Sequence, residues 1–192
     1  MKIAAIPRHS WPALLLWTTL GGLRLGEAVQ FARVIPAILA AQSLLAAWLI
    51  ATRREERGGS GWSQKLTAWV SAFLPLALQI QHETRTGQVL SGLGLLLVLW
   101  SMAILGRSFG IAPADRGLVM DGPYRLVRHP MYLGELICLA GAMLGDISLW
   151  NMVLILAVCL ALRLRMRWEE RILWDYGSYA GRVSWRLIPW LW

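Results

Sequence analysis

The side chains best suited to chemistry stand in a short polar segment between long apolar runs, residues 122–134. This segment brings together two phenols, two guanidinium groups and an imidazole: Tyr124, Arg125, Arg128, His129 and Tyr132. Pro130 suits the first turn of a helix that begins just after His129 and includes Gly134. The start of such a helix presents unpaired N–H groups and a positive dipole end, which favour a carboxylate or a phosphate. The alternative is that the arginines only supply positive charge beside a membrane.

A second polar cluster lies near the C-terminus, in residues 162–173. Its acidic pair, Glu169 and Glu170, is surrounded by arginines at positions 163, 165, 167 and 171. Taken alone, the cluster is typical of a solvated, self-neutralising helix end. However, the cluster follows a long apolar run, at the point where a helix would leave a membrane. This position favours a functional role.

Composition places the chain in a membrane, because 57% of its residues are hydrophobic, 12 are Trp, and the mean hydropathy is +0.51. Five runs approach the roughly 20 apolar residues that a spanning helix needs, namely residues 34–51, 66–80, 87–106, 131–144 and 147–162. A sixth run, residues 11–23, spans only if its helix continues through Arg24 and Glu27, which are three residues apart and could pair. The sequence therefore predicts an all-α polytopic membrane protein with five or six transmembrane helices in one domain. Residues 53–61 are expected to be only a connector.

The net charge of +8 is best explained by membrane topology. If six helices cross with both ends in the cytosol, all 19 basic residues except Arg24, Arg33 and Arg85 lie in cytosolic segments, including Lys2 and Arg8. Such a bias is what the positive-inside rule predicts. It places the turn at 145–146 outside, and Lys65 and Trp192 in the cytosol. Nucleic-acid binding is disfavoured because the basic residues flank apolar runs and do not form one stripe.

The two polar clusters should meet in space. Residues 131–144 and 147–162 are joined by a tight turn, so the start of the first helix and the end of the second lie close together. Arg128 and His129 are then neighbours of Glu169 and Glu170 at one membrane face. Opposite charges withdrawn from water must be paired or must bind a ligand, and a zwitterionic ligand with a further cationic centre would suit them. No metal is predicted, because His9, His82 and His129 are widely scattered in the sequence.

The residues in and around the two polar clusters resemble the pattern of a known family. A Gly-Pro-Tyr sequence at 122–124 leads to Arg128-His129-Pro130, Tyr132 and Gly134; an acidic pair at 169–170 follows, and then Arg-Leu-Ile-Pro at 186–189. These features resemble the isoprenylcysteine carboxyl methyltransferase family and, more broadly, the related phospholipid methyltransferases. The resemblance runs from about residue 105 to residue 189. It divides the single domain into N-terminal membrane helices, residues 1–104, and a cofactor-binding catalytic core, residues 105–192.

The resemblance implies S-adenosylmethionine as the methyl donor, bound in a cleft that the helical hairpin and the cytosolic tail form. It implies that cofactor-binding residues fall within the two clusters, at Tyr124, Arg128, His129, Pro130, Tyr132, Gly134, Glu169 and Glu170. Of these, Arg128, Glu169 and Glu170 are expected to be catalytic. The implied acceptor is lipophilic and arrives through the membrane of a prokaryotic cell, with the active site facing the cytosol. One departure lies in the tail, where Tyr176-Gly-Ser-Tyr179 is shorter than the family pattern and Arg182 replaces a second tyrosine.

The accepting atom stays open at this stage. An isoprenylcysteine-like carboxylate, a phospholipid or other amine, and a thiol all suit the same fold, and the oligomeric state is not indicated. A transporter or a structural membrane subunit is the non-enzyme alternative. A transporter has few intramembrane charges to use, only Arg24, Glu27 and Glu135, and a structural subunit would not need both polar clusters at one membrane face.

Overall fold

The computed structural model describes residues 10–191, which are mostly helical. Lys2, Arg8, His9 and Trp192, for which the sequence makes predictions, lie outside the described residues. Seven α-helices are present in that part of the chain: α1 Trp11–Phe31, α2 Val34–Thr52, α3 Trp62–Phe73, α4 Arg85–Leu105, α5 Pro130–Met143, α6 Leu149–Ile172 and α7 Tyr176–Arg182. Two strands of two residues each, β1 Gly58–Gly59 and β2 Ala114–Asp115, pair antiparallel. Short 3₁₀ turns follow α3 and α4 and precede α5, at Leu74–Ala77, Gly106–Ser108 and Gly122–Arg125.

The helices begin and end where the sequence supplies the appropriate residues. Thr84 and Ser148 cap α4 and α6, each accepting a hydrogen bond from the backbone three residues later. Gly106, at φ +49°, ends α4 in a conformation that other residues rarely adopt. The apolar run at 66–80 does not form one helix, because Pro75 lies in the 3₁₀ turn that follows α3, and the backbone beyond residue 77 is not helical.

Within residues 10–191, three helices are long and apolar enough to cross a membrane: Val34–Thr52, Leu149–Ile172, and α4 with its 3₁₀ extension, Arg85–Ser108. α5 is apolar but shorter. The outer faces expose large apolar side chains such as Leu15, Val29 and Leu156, each more than half exposed, which a soluble monomer rarely shows. The prediction of an all-α membrane protein is confirmed at this level, while length and composition alone do not establish five or six spans.

Close helix packing positions α5 against α4. A Cβ at Gly134 would lie 2.7 Å from the carbonyl oxygen of Gly94, and a Cβ at Gly141 would lie 2.6 Å from that of Gly87. Ser91 adds a hydrogen bond across this interface, from its hydroxyl to the Cys138 carbonyl at 3.0 Å. Small residues thus let two backbones approach as they do in many membrane helix pairs, and this contact fixes the start of α5.

Contacts between helix ends form two groups, one at each end of the helices. At one end, the Arg107 guanidinium donates to the Thr52 carbonyl at 2.8 Å. At the other, the Asp146 carboxylate accepts a hydrogen bond from the backbone of His82 at 2.6 Å, and the Asn151 amide donates to the Gln79 carbonyl at 2.9 Å. The turn between α5 and α6 therefore lies at the end opposite to the start of α5.

The possible pair between Arg24 and Glu27 does not form. Glu27 lies 3.6 Å from Arg33, near the end of α1. Arg24 instead donates to the Ser43 hydroxyl on α2 at 2.7 Å. α1 does continue through both charged residues to Phe31, which is the condition the sequence set for this helix to span.

Candidate active site

A cleft opens where α5 begins and α6 ends. It encloses about 740 Å³ including its mouth, and its walls come from the loop before α5, from α6 and from α7. Charged and phenolic side chains line one part of it: Arg116, Tyr124, Arg128, His129, Tyr132, Glu169, Tyr176 and Tyr179. The remaining wall is apolar or small, so the cleft combines a polar region with an apolar one, as small-molecule sites commonly do.

Glu170 is the centre of a polar network behind the cleft. Arg186 donates to both of its carboxylate oxygens, at 2.9 and 3.0 Å. His129 Nε2 lies 3.2 Å from Glu170 Oε1, and the Tyr176 hydroxyl donates to the same oxygen at 3.1 Å. Arg128 Nη1 is 3.7 Å away. This network joins the start of α5, the end of α6 and the C-terminal tail.

The tail is also tied to the start of α5 through the backbone. The Arg128 N–H donates to the Trp185 carbonyl at 2.8 Å, and the His129 N–H donates to the Arg186 carbonyl at 2.9 Å. His129 is only 6% exposed as a result. The backbone N–H groups of the two residues before α5 are therefore used to hold the tail.

Glu169 faces the cleft. Its carboxylate accepts a hydrogen bond from the Tyr132 hydroxyl, and it lies 3.7 Å from His129 Nδ1. The Glu169 side chain is 24% exposed, twice as exposed as the 12% of Glu170. Adjacent residues on a helix point about 100° apart, so only one of the two carboxylates lines the cleft.

The structure thus brings most of the predicted site residues together. Five of them line the cleft: Tyr124, Arg128, His129, Tyr132 and Glu169. Three do not: Glu170 lies in the network behind it, Pro130 forms the first turn of α5, and Gly134 contacts the backbone of α4. Arg125 points away and pairs with Asp121 on the surface.

The sequence analysis did not identify Arg116 as a site residue. This arginine is almost fully buried, lines the cleft, and pairs with Glu56 at 2.5 Å. Its guanidinium lies over Gly110, where a Cβ would collide with it. Arg116 Nε and Arg128 Nε are both buried and have no hydrogen-bond partner among residues 10–191. The site therefore has two guanidinium donors available beside its polar wall.

The segment at 53–61 is more than the simple connector that the sequence suggested. It carries Glu56, its strand β1 pairs with β2, and the Arg57 N–H donates to the Asp115 carbonyl at 2.8 Å. These contacts fix the loop from which Arg116 reaches the cleft. Pairing between segments so distant in the chain leaves no local periodicity, so it could not be predicted from the sequence pattern.

The tyrosines of the cleft are held as neutral phenols. Burial raises the pKa of Tyr179 to about 12, and its hydroxyl donates to the Tyr124 carbonyl at 2.7 Å. Burial, followed by the nearby Glu170 carboxylate, raises the pKa of Tyr176 above its ordinary value. Burial also raises the pKa of Tyr124. These groups can donate hydrogen bonds and offer ring faces near neutral pH, but they do not serve as bases.

A second cavity, the membrane cavity, adjoins the cleft. It encloses about 1020 Å³ among helices α1 to α6, with a mainly apolar lining. Gly110 and Met131 line both the cleft and this cavity, so the two spaces share a wall. Arg165 and Glu135 also line it. They are the charged side chains that α6 and α5 contribute to the lining of this cavity.

Arg165 is buried on the membrane-cavity side, beside the residues next to the shared wall. It donates to the Ser71 hydroxyl at 3.1 Å and to the Ile111 carbonyl at 2.9 Å, and its guanidinium carbon lies 5.0 Å from the centre of the Tyr132 ring. Its Nε has no hydrogen-bond partner among the described residues. The sequence analysis treated Arg165 only as a neighbour of the acidic pair. One feature of the sequence did point to Arg165 as a site residue: it lies four residues before Glu169, so the two side chains are about one helical turn apart on the same face.

Within the described part of the chain, no group of three His, Cys, Asp or Glu residues is arranged to hold a metal ion. His82 lies at the opposite end of the helices from His129, bound to Asp146.

Comparison with known protein families adds to this geometry. Residues 83–176 match the phospholipid methyltransferase family. The match begins just before α4, earlier than the resemblance seen in the sequence, and it includes the cleft residues from Arg116 to Tyr176. It covers just under half of the chain. No curated protein matches the sequence.

The match supports a broad assignment as a methyltransferase of the membrane with a lipid-like acceptor. It agrees with the wider of the two families that the sequence resembles. α4 belongs with the matched region, because its glycines fix the position of α5.

Proposed function

We propose that this protein transfers a methyl group from S-adenosylmethionine to an acceptor with a lipophilic tail. The observation that carries the proposal is the shared wall between a polar cleft and an apolar membrane cavity, formed by Gly110 and Met131. A donor in the cleft and an acceptor tail in the cavity would meet there. The match to the phospholipid methyltransferase family supports the same reaction class.

The residues of the cleft fit the methyl donor. Its amino-acid part carries a carboxylate and an ammonium, which match the free guanidinium Nε atoms of Arg116 and Arg128 and the carboxylate of Glu169. The rings of Tyr124 and Tyr176 would bound the adenine. When bound, S-adenosylmethionine supplies an electrophilic methyl group on a sulfonium.

The protein's own contribution is position, charge and the exclusion of water. Glu170 acts through other residues, because its contacts with Arg186, His129 and Tyr176 hold the start of α5 against the tail. Arg128 and Glu169 would touch the donor. Tyr132, which donates to Glu169 and lies beneath Arg165, fixes both side chains between the two spaces.

The membrane cavity would hold the acceptor's tail. Each buried CH₂ contributes about 0.8 kcal/mol, so a long chain would bind far more tightly than its head group alone. Activity should therefore rise steeply with chain length and stop when the tail is removed.

Arg165 favours a carboxylate as the accepting group, as in an isoprenylcysteine carboxyl O-methyltransferase. Its guanidinium lines the membrane cavity and has an unused Nε donor, and it would hold one carboxylate oxygen while the other attacks the methyl carbon. That reaction forms a C–O bond, breaks the C–S bond, and needs no base.

Glu135 favours an amine or a thiol as the second candidate. Its carboxylate lines the same cavity, and no hydrogen bond or ion pair involves it among residues 10–191. An ammonium or thiol acceptor must lose a proton before it attacks, and Glu135 would take that proton. Loss of activity in Glu135→Gln with retained activity in Arg165→Gln would identify this case.

We further infer six crossings, with the cleft facing the cytosol of a prokaryotic cell. The alternation of the helix ends supports this, because the Arg107–Thr52 contact and the Asp146–His82 contact lie at opposite ends. α5 would cross as a short helix held against α4. The cleft end carries most of the arginines, as a cytosolic face does.

Calorimetry with S-adenosylmethionine tests the donor site. Arg128→Gln and Glu169→Gln should each weaken binding about ten- to hundred-fold, the effect of about 1–3 kcal/mol for a lost buried polar partner. Arg125→Gln is the matched control, since Arg125 is 72% exposed and should be neutral. Unchanged affinity in both cleft variants would refute the donor site.

A further inference from the structure

The far end of the membrane cavity is not purely apolar. Arg24 of α1 lines this cavity, and it also lines a third space, the far cavity, of about 810 Å³. The far cavity lies away from the cleft, against Ile80, Glu83 and Thr84, at the end of the helices where Asp146 is bound. Arg24 thus stands at the junction of the two cavities.

The Arg24 guanidinium has capacity left for a ligand. Only its Nη1 is used, in hydrogen bonds to the Ser43 hydroxyl at 2.7 Å and the Leu39 carbonyl at 3.4 Å. Its Nε and Nη2 make no hydrogen bond among residues 10–191. The nearest acid along the helix, Glu27, is paired with Arg33. A charge at this depth in a membrane is costly, and such residues usually serve a ligand or an ion.

Two further polar atoms lie on the wall that leads to Arg24. Trp17 Nε1, a donor, and Gln42 Oε1, an acceptor, are both buried without a partner among the described residues. Both residues line the membrane cavity. Trp17 is two helical turns before Arg24 on the same face of α1, about 10 Å along the axis. A plain hydrocarbon tail would leave all of these groups unsatisfied.

We propose that the acceptor is a two-headed lipid: one end reaches Arg165 and Glu135 beside the cleft, and the other carries an anionic group that binds Arg24. This rests on the proposed function, which it deepens by naming the acceptor class. A carboxylate is the simplest anionic group that the free guanidinium edge would hold. The methyl-accepting end is the carboxylate, amine or thiol that would face Arg165 and Glu135.

Ligand-induced stabilisation measures this binding without requiring turnover, because a ligand that binds only the folded protein raises the unfolding temperature. The purified protein in a neutral detergent would be titrated with dodecanoic acid, dodecanedioic acid, its monomethyl ester, and 12-aminododecanoic acid. The diacid and the amino acid offer a carboxylate at Arg24 whichever group faces the cleft. Longer and shorter homologues would find the matching length.

Three variants separate ligand binding from helix packing. Arg24→Gln removes the charge, while Ser43→Ala removes the hydrogen bond between α1 and α2 but keeps the guanidinium. Arg33→Gln removes an arginine of the same helix that is 57% exposed. S-adenosylmethionine binding measured on the same samples reports on the cleft alone.

In the wild type, the best two-headed ligand should raise the unfolding temperature at about ten-fold lower concentration than dodecanoic acid does. The reason is that one additional charged hydrogen bond increases the affinity by about this factor. Arg24→Gln should abolish this advantage, and Ser43→Ala and Arg33→Gln should retain it. Equal potency of the one- and two-headed ligands in the wild type, or an advantage that survives Arg24→Gln, would overturn the proposal. If Arg24→Gln does not fold, the wild-type comparison still decides. Failure to bind S-adenosylmethionine would refute the proposed function without altering this result.

Discussion

Glu169 and Glu170 are adjacent and chemically identical, yet exchanging each for glutamine should have different effects. Glu170 accepts two hydrogen bonds from Arg186 and contacts His129 and Tyr176, with its side chain 12% exposed. An amide at this position keeps the shape but removes the charge and places N–H donors against other donors. Hydrogen bonds to charged groups contribute about 1.5–3 kcal/mol each. Arg186 can recover part of this loss, because it is one-third exposed.

The net loss of stability for Glu170→Gln should therefore be about 2–3 kcal/mol. In a chain of this size that corresponds to roughly 4–12 °C in the unfolding temperature. Glu169→Gln removes only the contact with Tyr132 and a distant one with His129. It should lower the unfolding temperature by much less, while weakening donor binding more.

Thermal unfolding in detergent, followed by tryptophan fluorescence with and without S-adenosylmethionine, measures both effects on one sample. Two outcomes would refute the reasoning that Glu170 positions and Glu169 binds. One is an equal loss of stability in the two variants. The other is a Glu170→Gln protein as stable as the wild type with a selective loss of donor affinity.

Three further predictions concern packing, charge and topology. Gly134→Ala should destabilise by about 1–3 kcal/mol, because its Cβ would lie 2.7 Å from a backbone oxygen of α4; Gly92→Ala, whose Cβ meets only a side chain at 3.7 Å, should be neutral or stabilising in the same unfolding assay. The His82 backbone N–H, followed by the His82 side chain, lowers the pKa of Asp146. Asp146→Asn should therefore be less stable than the wild type above about pH 4, and the difference should vanish as the pH falls through the lowered pKa; a constant difference down to pH 2 would exclude the carboxylate as its source. In intact cells, Asp146→Cys should react with an impermeant maleimide while Trp190→Cys reacts only after lysis, and labelling from the same side would exclude the six-crossing topology.

The helices could be predicted well because burial in a membrane demands continuous apolar runs. The runs at 34–51, 87–106 and 131–144 match α2, α4 and α5 within about two residues. α6 continues from its apolar part to Ile172, since arginine and glutamate are good helix formers once the chain leaves the bilayer. The prediction of a single helix over residues 66–80 was wrong, because hydropathy does not account for the effect of Pro75 on the backbone.

The contacts of the site could be predicted only in part. The hairpin argument placed His129 beside the acidic pair, and the structure brings His129 Nε2 to 3.2 Å from Glu170. Which carboxylate faces the cleft depends on the rotation of α6 against its neighbours, which sequence spacing does not determine. Arg116 was not anticipated, because its position depends on the pairing of β1 with β2, segments that are far apart in the chain.

Contacts of the residues that line the membrane cavity also could not be predicted from local sequence spacing. The spacing of Arg24 and Glu27 along α1 allowed them to pair, whereas Arg24 bonds to Ser43 on α2. Local spacing identifies a possible partner, but the close packing of α1 on α2 supplies a different one. The choice of partner leaves part of the guanidinium available inside the protein.

Transfer of a labelled methyl group tests the central claim most directly. The purified protein would be incubated with methyl-labelled S-adenosylmethionine and a membrane lipid extract, beside Glu169→Gln and the surface control Arg125→Gln. We predict that the wild type and Arg125→Gln label a product that extracts into organic solvent, and that Glu169→Gln does so at least about ten-fold more slowly at limiting donor. Label found only in water-soluble products would contradict the lipophilic acceptor, and the absence of both donor binding and labelled product would contradict the methyltransferase itself.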